Sequence, residues 1–505
     1  MIKRLLVRLP LIVILMGLAS AAMIVPAAHA YAIRDLHVAR VFLYTCILSC
    51  ILTALLALAT DKIVVRRRAR GYLITLLAAF TVVPALMAVP FYEALGSTRF
   101  SSAWFEMVSS MTTTGATLYD PGRLPDTLHL WRALVGWMGG LLIWVTAVAL
   151  IAPMNLGGFE VLSDGGIGDG INPAVANPIT RVADGSQRLI RFTARLAPIY
   201  GGLTLALWVG LLMTGETPLA AVCRAMSTLS TSGITTGQGG QGGLAGEMLI
   251  FVFLFFAVSR LTFSSDAARV GWRALLGDPE MRMGVFIVTA LPAFLMLRHW
   301  AGAYEIGAPM NLESALRALW GAMFTTLSFL TTTGFESAEW DTATKWSGLE
   351  TPGLVLMGLA LFGGGVATTA GGVKLLRIYA LYKHGLRELE KLVHATSVGG
   401  AGTAARRIRR KGAYVAWVFF MLFAVSVALI MGAFSLAGQE FERATVLTIA
   451  ALSTTGPLVS LAAGDPILMG DLSDPARTIF AAAMVLGRME TLALIALLNP
   501  DFWRR

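Results

Sequence analysis

Charged residues are scarce: 14% of the 505 residues are Asp, Glu, Lys or Arg, against 56% hydrophobic. A soluble protein of this size needs far more charge to coat its surface, so the apolar excess has to face lipid. Cysteine is nearly absent. Cys46 and Cys50 lie four apart on one face of an apolar run, and Cys223 stands alone. With no C-x-x-C and no His pair at ligand spacing, neither a zinc site nor a disulfide framework is supported, and buried inert thiols are expected. The six histidines mostly flank apolar runs, and paired aspartates, H-E-x-x-H and G-x-S-x-G are all missing. An intramembrane enzyme would need such a constellation, so the chain is expected not to be an enzyme. The balance is basic, +10 from 40 basic and 30 acidic residues. That charge does not point to nucleic acid, because Lys and Arg gather in short segments between apolar runs, the label of cytoplasmic loops.

About twenty apolar residues cross a bilayer. Ten candidate spans emerge, near 9–28, 39–60, 72–93, 131–152, 194–214, 247–265, 284–299, 351–380, 412–436 and 476–498. Lys3, Arg4 and Arg8 before the first span, and Ala28-His29-Ala30 after it, are also the marks of a cleaved signal segment. Retention is expected, since it keeps the basic segment 61–70 on the same side as the other basic loops. Those loops are 181–195, 269–282 and 383–411, with Arg504 and Arg505 at the tail. Alternating spans place all of them on one face, giving a multi-pass protein with both termini cytoplasmic.

Each of the four long segments on the opposite face contains the same string. They read Thr112-Thr113-Thr114-Gly115, Ser230-Thr231-Ser232-Gly233, Thr331-Thr332-Thr333-Gly334 and Ser453-Thr454-Thr455-Gly456, each preceded by Met or Leu. One Ser/Thr-Gly tract could merely help helices pack. Four, each in the same place between two spans, form a repeat. The residues before each string, Ser102 to Met111, Pro218 to Leu229, Leu312 to Leu330 and Glu440 to Leu452, read as helices, most of them too short or too polar to span. This is the profile of a re-entrant helix followed by extended backbone, tolerated at membrane depth only where protein or a watery cavity surrounds it. Small hydroxyl residues let four chains converge with carbonyls inward, and glycine permits torsions that bulkier residues disfavour. The strings carry no charge, and neutral dipoles suit a weakly hydrated monovalent cation better than a divalent one. Four parallel repeats fit a pore better than a carrier of inverted repeats.

Over nearly its whole length the sequence resembles the Trk/Ktr/HKT superfamily of potassium transporters, and within it the bacterial Trk-type pore subunit. The likeness rests on the four strings, on Gly136-Trp-Met-Gly-Gly140, on Gly363-Gly-Gly-Val-Ala-Thr-Thr-Ala-Gly-Gly372-Val-Lys374, and on Leu486-Gly-Arg-Met-Glu490. It implies an all-α polytopic membrane protein of the bacterial inner membrane. Four helix–pore loop–helix repeats would surround one potassium pore, with an N-terminal transmembrane hairpin beside them. The hairpin is expected over 1–70 and the repeats over 71–160, 190–282, 283–390 and 411–505. The central filter glycines would be Gly115, Gly233, Gly334 and Gly456; glycine at all four favours potassium over sodium. The strings differ from T-V-G-Y-G, so looser potassium/sodium selectivity and ion coupling (symport) stay open. Also implied are a homodimer and a cytoplasmic ring of TrkA-like regulatory subunits that would carry the nucleotide. Loop 383–411 would dock that regulator or anionic membrane lipid. Potassium is the transported ion, and no covalently bound cofactor or nucleic-acid partner is expected.

The cluster Gly363, Gly364, Gly365, Gly371 and Gly372 around Val366-Ala-Thr368-Thr369-Ala370 interrupts an apolar run. Without the G-K-[ST] ending it is no phosphate loop. Two readings stand: close helix packing, or a break near the pore axis. The resemblance makes it an intramembrane gate beneath the filter. Arg488 lies midway along the last span, where a charge is expensive. Glu490 is a candidate local partner, although residues two apart on a helix do not share a face; the resemblance makes Arg488 an electrostatic barrier under the filter near that loop. Lys374 either belongs to the gate or snorkels to the cytoplasmic side. Glu106, Arg224, Glu313 and Glu442 lie in or near the short helices and either anchor loops or attract cations.

Overall fold

The structure, a computed structural model, describes residues 9–60, 69–152, 185–237, 242–259, 277–306, 312–347, 351–394 and 410–489. Among these residues it is helical, with no strand. Leu11–Ala22 (α1) and Ile24–Ala32 (α2) run as one kinked span and turn back through Leu36–Thr60 (α3). The kink at Met23 follows from Pro26, whose missing N–H leaves the Ala22 carbonyl without its helical donor. The hairpin packs on the next span, Ala69–Leu95 (α4), and its Met23 and Phe42 are fully buried, Phe42 edge-on to Trp131.

Four units follow. In the first, α4 leads to the short helix Phe100–Met111 (α5) and out through Asp126–Thr146 (α6), which ends in a π turn at Ala147–Ile151. The second runs Gly185–Met213 (α7), Pro218–Ser230 (α8) and Gly243–Leu254 (α9). The third runs Pro279–Ile306 (α10), Leu312–Leu330 (α11), Trp340–Ser347 (α12), Pro352–Phe362 (α13) and Leu375–Val393 (α14). The fourth runs Arg410–Leu436 (α15), Phe441–Ser453 (α16), Leu458–Leu461 (α17) and Asp474–Met489 (α18). Pro218 and Pro352 occupy first helical positions, where the absent N–H is no loss.

Each short helix packs between its own incoming helix and the outgoing helix of the unit before. Thus α8 lies against α6, α11 against α9 and α16 against α13, and α5 meets α18 so that the ring closes. The four units therefore surround one centre. Burial follows that geometry: 83% of the α6 span is buried, but 17% of the α3 and α15 spans. On α15 the exposed Tyr414, Trp417, Met421, Val425 and Leu429 recur at helical spacing, a continuous apolar stripe facing outward as lipid requires.

Among the described residues, seven helices are long and apolar enough to cross a membrane by length and composition, against ten spans expected over the whole chain. The span expected over 247–265 is helical from Gly243 to Leu254, closes in a 3₁₀ turn at Phe255–Ala257, and is described only to Ser259. The one expected over 351–380 is two helices separated by residues 363–374, which leave the helix entirely. Gly363 starts this break at φ 70°, and Gly372 and Lys374 also have positive φ. The last span begins at Asp474 and is described to Met489, so Glu490 lies outside the described residues, as do most of the basic loops.

Candidate functional site

The four strings share one local architecture. Each short helix ends as its string begins, and the second threonine takes the left-handed conformation: Thr113 at φ 54°, Thr231 at 52°, Thr332 at 57° and Thr454 at 55°. The third residue then returns its N–H to the carbonyl five residues back, at 2.8, 3.0, 2.9 and 2.9 Å in order of repeat. This is the Schellman way of ending a helix, with threonine where glycine is usual. The first hydroxyl donates to the carbonyl four residues back, as Thr112 does to Val108 and Ser453 to Ile449. First and third hydroxyls are also bonded to each other, at 2.9, 3.0, 3.0 and 3.1 Å. Hydroxyls one and three thus brace each string from behind. The second hydroxyl and the string carbonyls stand outside this bracing.

The strings meet directly. A Cβ on Gly115 would collide with the Ser232 carbonyl, one on Gly233 with the Thr333 carbonyl, and one on Gly456 with the Thr114 carbonyl. Gly115, Gly233 and Gly334 have φ of 75°, 66° and 81°, which only glycine adopts freely. Gly456 differs from the expectation that all four glycines serve one torsional purpose: its φ is not in the left-handed range. Pro457 follows it, and a residue before proline is pushed to extended backbone. The Gly456 N–H donates to the Thr114 carbonyl at 2.6 Å, tying the fourth string to the first. Four helix C-termini also point at the strings, and their partial negative charge favours a cation there.

All four glycines line a cavity of about 840 Å³ on the side to which the strings return. Asp120, Glu247, Glu336, Asp341 and Asp471 share that lining with two arginines, Arg132 and Arg224. Both arginines are neutralised by carboxylates, Arg132 by Glu106 at 2.9 Å and Arg224 by Glu216 at 2.6 Å. The remaining field is negative and draws cations in. Burial, and then the nearby Asp341 charge, raise the pKa of Glu336 above that of an ordinary glutamate.

Of the charged residues near the short helices, Glu106 is an anchor. Besides Arg132 it accepts from the Thr117 hydroxyl at 3.0 Å and the Leu118 N–H at 2.5 Å. Glu442 accepts the Gly464 N–H at 2.9 Å, while Glu313 pairs with Arg317 on the exposed surface. Glu247, which the sequence pattern does not reveal, serves the third repeat from a neighbouring helix. It accepts from Trp320, Ser337 and Ala338, each at 2.8 Å.

On the opposite side of the strings lies the 363–374 loop, buried except at the half-buried Gly372. Thr369 donates to the Leu229 carbonyl at 3.0 Å, and the Gly371 N–H to the Thr332 hydroxyl at 2.7 Å. A Cβ on Gly371 would strike the Ser453 carbonyl and the Thr454 hydroxyl. The segment thus touches the foot of three of the four strings. Its own shape is fixed by Thr368 donating to the Gly365 carbonyl at 2.7 Å and by Lys374 Nζ donating to the Ala370 carbonyl. Lys374 is buried, so it does not snorkel. Gly365 donates to the Ala257 carbonyl, and Val366 to the Glu280 carboxylate at 2.7 Å. A Cβ on Gly364 would meet the Ala257 carbonyl. Glu280 and Arg377 are further buried charges that the sequence did not single out. Arg377 lies 3.6 Å over the Phe419 ring and donates to the Val373 carbonyl at 3.3 Å.

Arg488 is also buried. The adjacent Gly487 presses on the Leu452 backbone, just as Gly139 presses on Met111 in the first unit. Both glycines let an outgoing helix approach the base of a string. By that correspondence Arg488 stands where the first unit has Gly140. Among the described residues no group of His, Cys, Asp and Glu could hold a resident metal ion.

Three comparisons bear on this geometry. The TrkH family profile, described as a cation transport protein, matches residues 285–503. The Trk system potassium uptake protein TrkH of Escherichia coli K12 is 28% identical, covering 97% of this chain and 98% of its own length. Its counterpart in Vibrio parahaemolyticus is also 28% identical, over 86% of each chain. The crystal structure of the potassium transporter TrkH from Vibrio parahaemolyticus superposes with a TM-score of 0.81 at 26% identity, covering 100% of both chains.

Proposed function

We propose, for a chain that belongs to the TrkH family of cation transport proteins, that it takes up potassium through a single pore lined by its four strings. The observation that carries this is the fourfold recurrence of one string architecture inside a closed ring of helices. Carbonyls and second hydroxyls of Thr112–Gly115, Ser230–Gly233, Thr331–Gly334 and Ser453–Gly456 replace the water shell of the ion. The acidic cavity is the entry vestibule and faces outward, with the basic loops cytoplasmic. The 363–374 loop blocks the inner end of the filter, and Arg488 adds a positive barrier at that level. The activity is transport, and the driving force is the membrane potential. Regulation falls to cytoplasmic nucleotide-binding subunits, and the pore works as a homodimer.

Rubidium uptake by proteoliposomes under an imposed potential, with sodium as competitor, tests the reading. Potential-driven uptake that potassium displaces is expected; none, from correctly folded protein, refutes it. Removing residues 364–371 tests the gate separately. Flux and regulation that stay unchanged would sink it. One observation favours a second reading, a less selective potassium/sodium pore. The Gly456 N–H already occupies the Thr114 carbonyl, which leaves fewer oxygens to discriminate ions by size. The same uptake assay separates the two by the sodium concentration needed to compete.

A further inference from the structure

Four threonines make the left-handed turn at the foot of the strings, yet their hydroxyls are not equivalent. Thr113 and Thr454 are buried, and among the described residues their hydroxyls have no hydrogen-bond partner. Thr231 donates to its neighbour's carbonyl at Ser230. Thr332 alone of these four receives a hydrogen bond from the loop, through the Gly371 N–H. Gly371 also abuts the Ser453 carbonyl and the Thr454 hydroxyl, so its amide sits among oxygens of two repeats. An amide N–H is the positive end of a dipole. Hydroxyl and carbonyl oxygens are also the ligands that a dehydrated monovalent cation needs.

We propose that the Gly371 amide and the transported cation compete for the Thr332 hydroxyl, so that a seated loop and an occupied inner end of the filter exclude one another. The proposal rests on the reading of the strings as filter and the loop as gate. A cation that binds only when the loop has left shifts the population towards the open arrangement. The permeant ion then favours its own passage.

The test uses full-length protein in which Cys46, Cys50 and Cys223 are replaced and Thr368, 2% exposed, is changed to Cys. In proteoliposomes, the modification rate of that cysteine by a membrane-impermeant thiol reagent is followed as potassium replaces N-methylglucamine at constant ionic strength. A saturable rise of about fivefold is expected, the factor that matches loss of one hydrogen bond. Thr332→Val keeps the shape and removes the hydroxyl; it should raise the rate without potassium and flatten the dependence. Thr332→Ser should restore it. A rate independent of potassium, in protein that carries rubidium, overturns the competition. So does a potassium dependence that Thr332→Val leaves intact. If Thr332→Val fails to fold, the Thr332→Ser and unsubstituted proteins still decide by their potassium dependence. Protein that carries no rubidium overturns the filter reading and the competition with it.

Discussion

Replacing Glu106 by Gln should destabilise the protein far more than a surface substitution does. The carboxylate is fully buried, and its Oε2 lies 2.9 Å from Arg132 Nε. Its Oε1 takes the Thr117 hydroxyl and the Leu118 N–H, just beyond the first string. The amide of Gln can still accept through its oxygen, so those two bonds weaken without vanishing. The dominant effect is a guanidinium, 3% exposed, left without its counter-charge. Breaking a buried pair in this way costs about 3–5 kcal/mol. Reversible unfolding in mixed micelles, followed by tryptophan fluorescence, measures the loss. Rubidium flux should fall in the same variant, because the return segment of the first string loses its anchor. Adding Arg132→Met should recover much of the stability, since it removes the uncompensated buried charge and leaves a neutral pair. A stability loss below about 1 kcal/mol for Glu106→Gln would refute the reasoning, because that is the range of an exposed pair.

Gly487→Val and Gly139→Val should each abolish folded protein or flux, since a Cβ at either site strikes the backbone of Leu452 or Met111; size-exclusion chromatography with flux measurement checks both. Arg488→Ala should raise basal rubidium flux, and unchanged flux at normal expression would count against the barrier. Flux should also decline on acidification at a higher pH than an ordinary glutamate would give. The raised pKa of Glu336 means that it takes up its proton, and loses its charge from the vestibule, earlier as pH falls. The same shift makes its contribution to stability greatest below the usual glutamate pKa and smallest above the raised one. Glu336→Gln should remove this part of the profile in a pH series of initial uptake rates.

The sequence determined the membrane class, the four strings and the short helices that precede them. These depend on composition and on local repetition, and both are visible along a single chain. Thr112–Gly115 and its three copies were recognisable because four equal tracts stand between apolar runs. The break at 363–374 was foreshadowed by five glycines, although packing alone would have used them equally well. Only the tertiary structure decided what those glycines do. Gly371 is needed because the foot of the third and fourth strings lies against it, and Gly139 and Gly487 because string backbones pass within contact distance. Glu247 and Glu280 stayed hidden for the same reason: they accept from backbone 91 and 86 residues away, separations no local pattern records. Gly456 shows the limit most plainly. Its letter matches the other three glycines. Its torsion, and its bond to Thr114, were settled by the proline after it and by a string that the fold brings alongside.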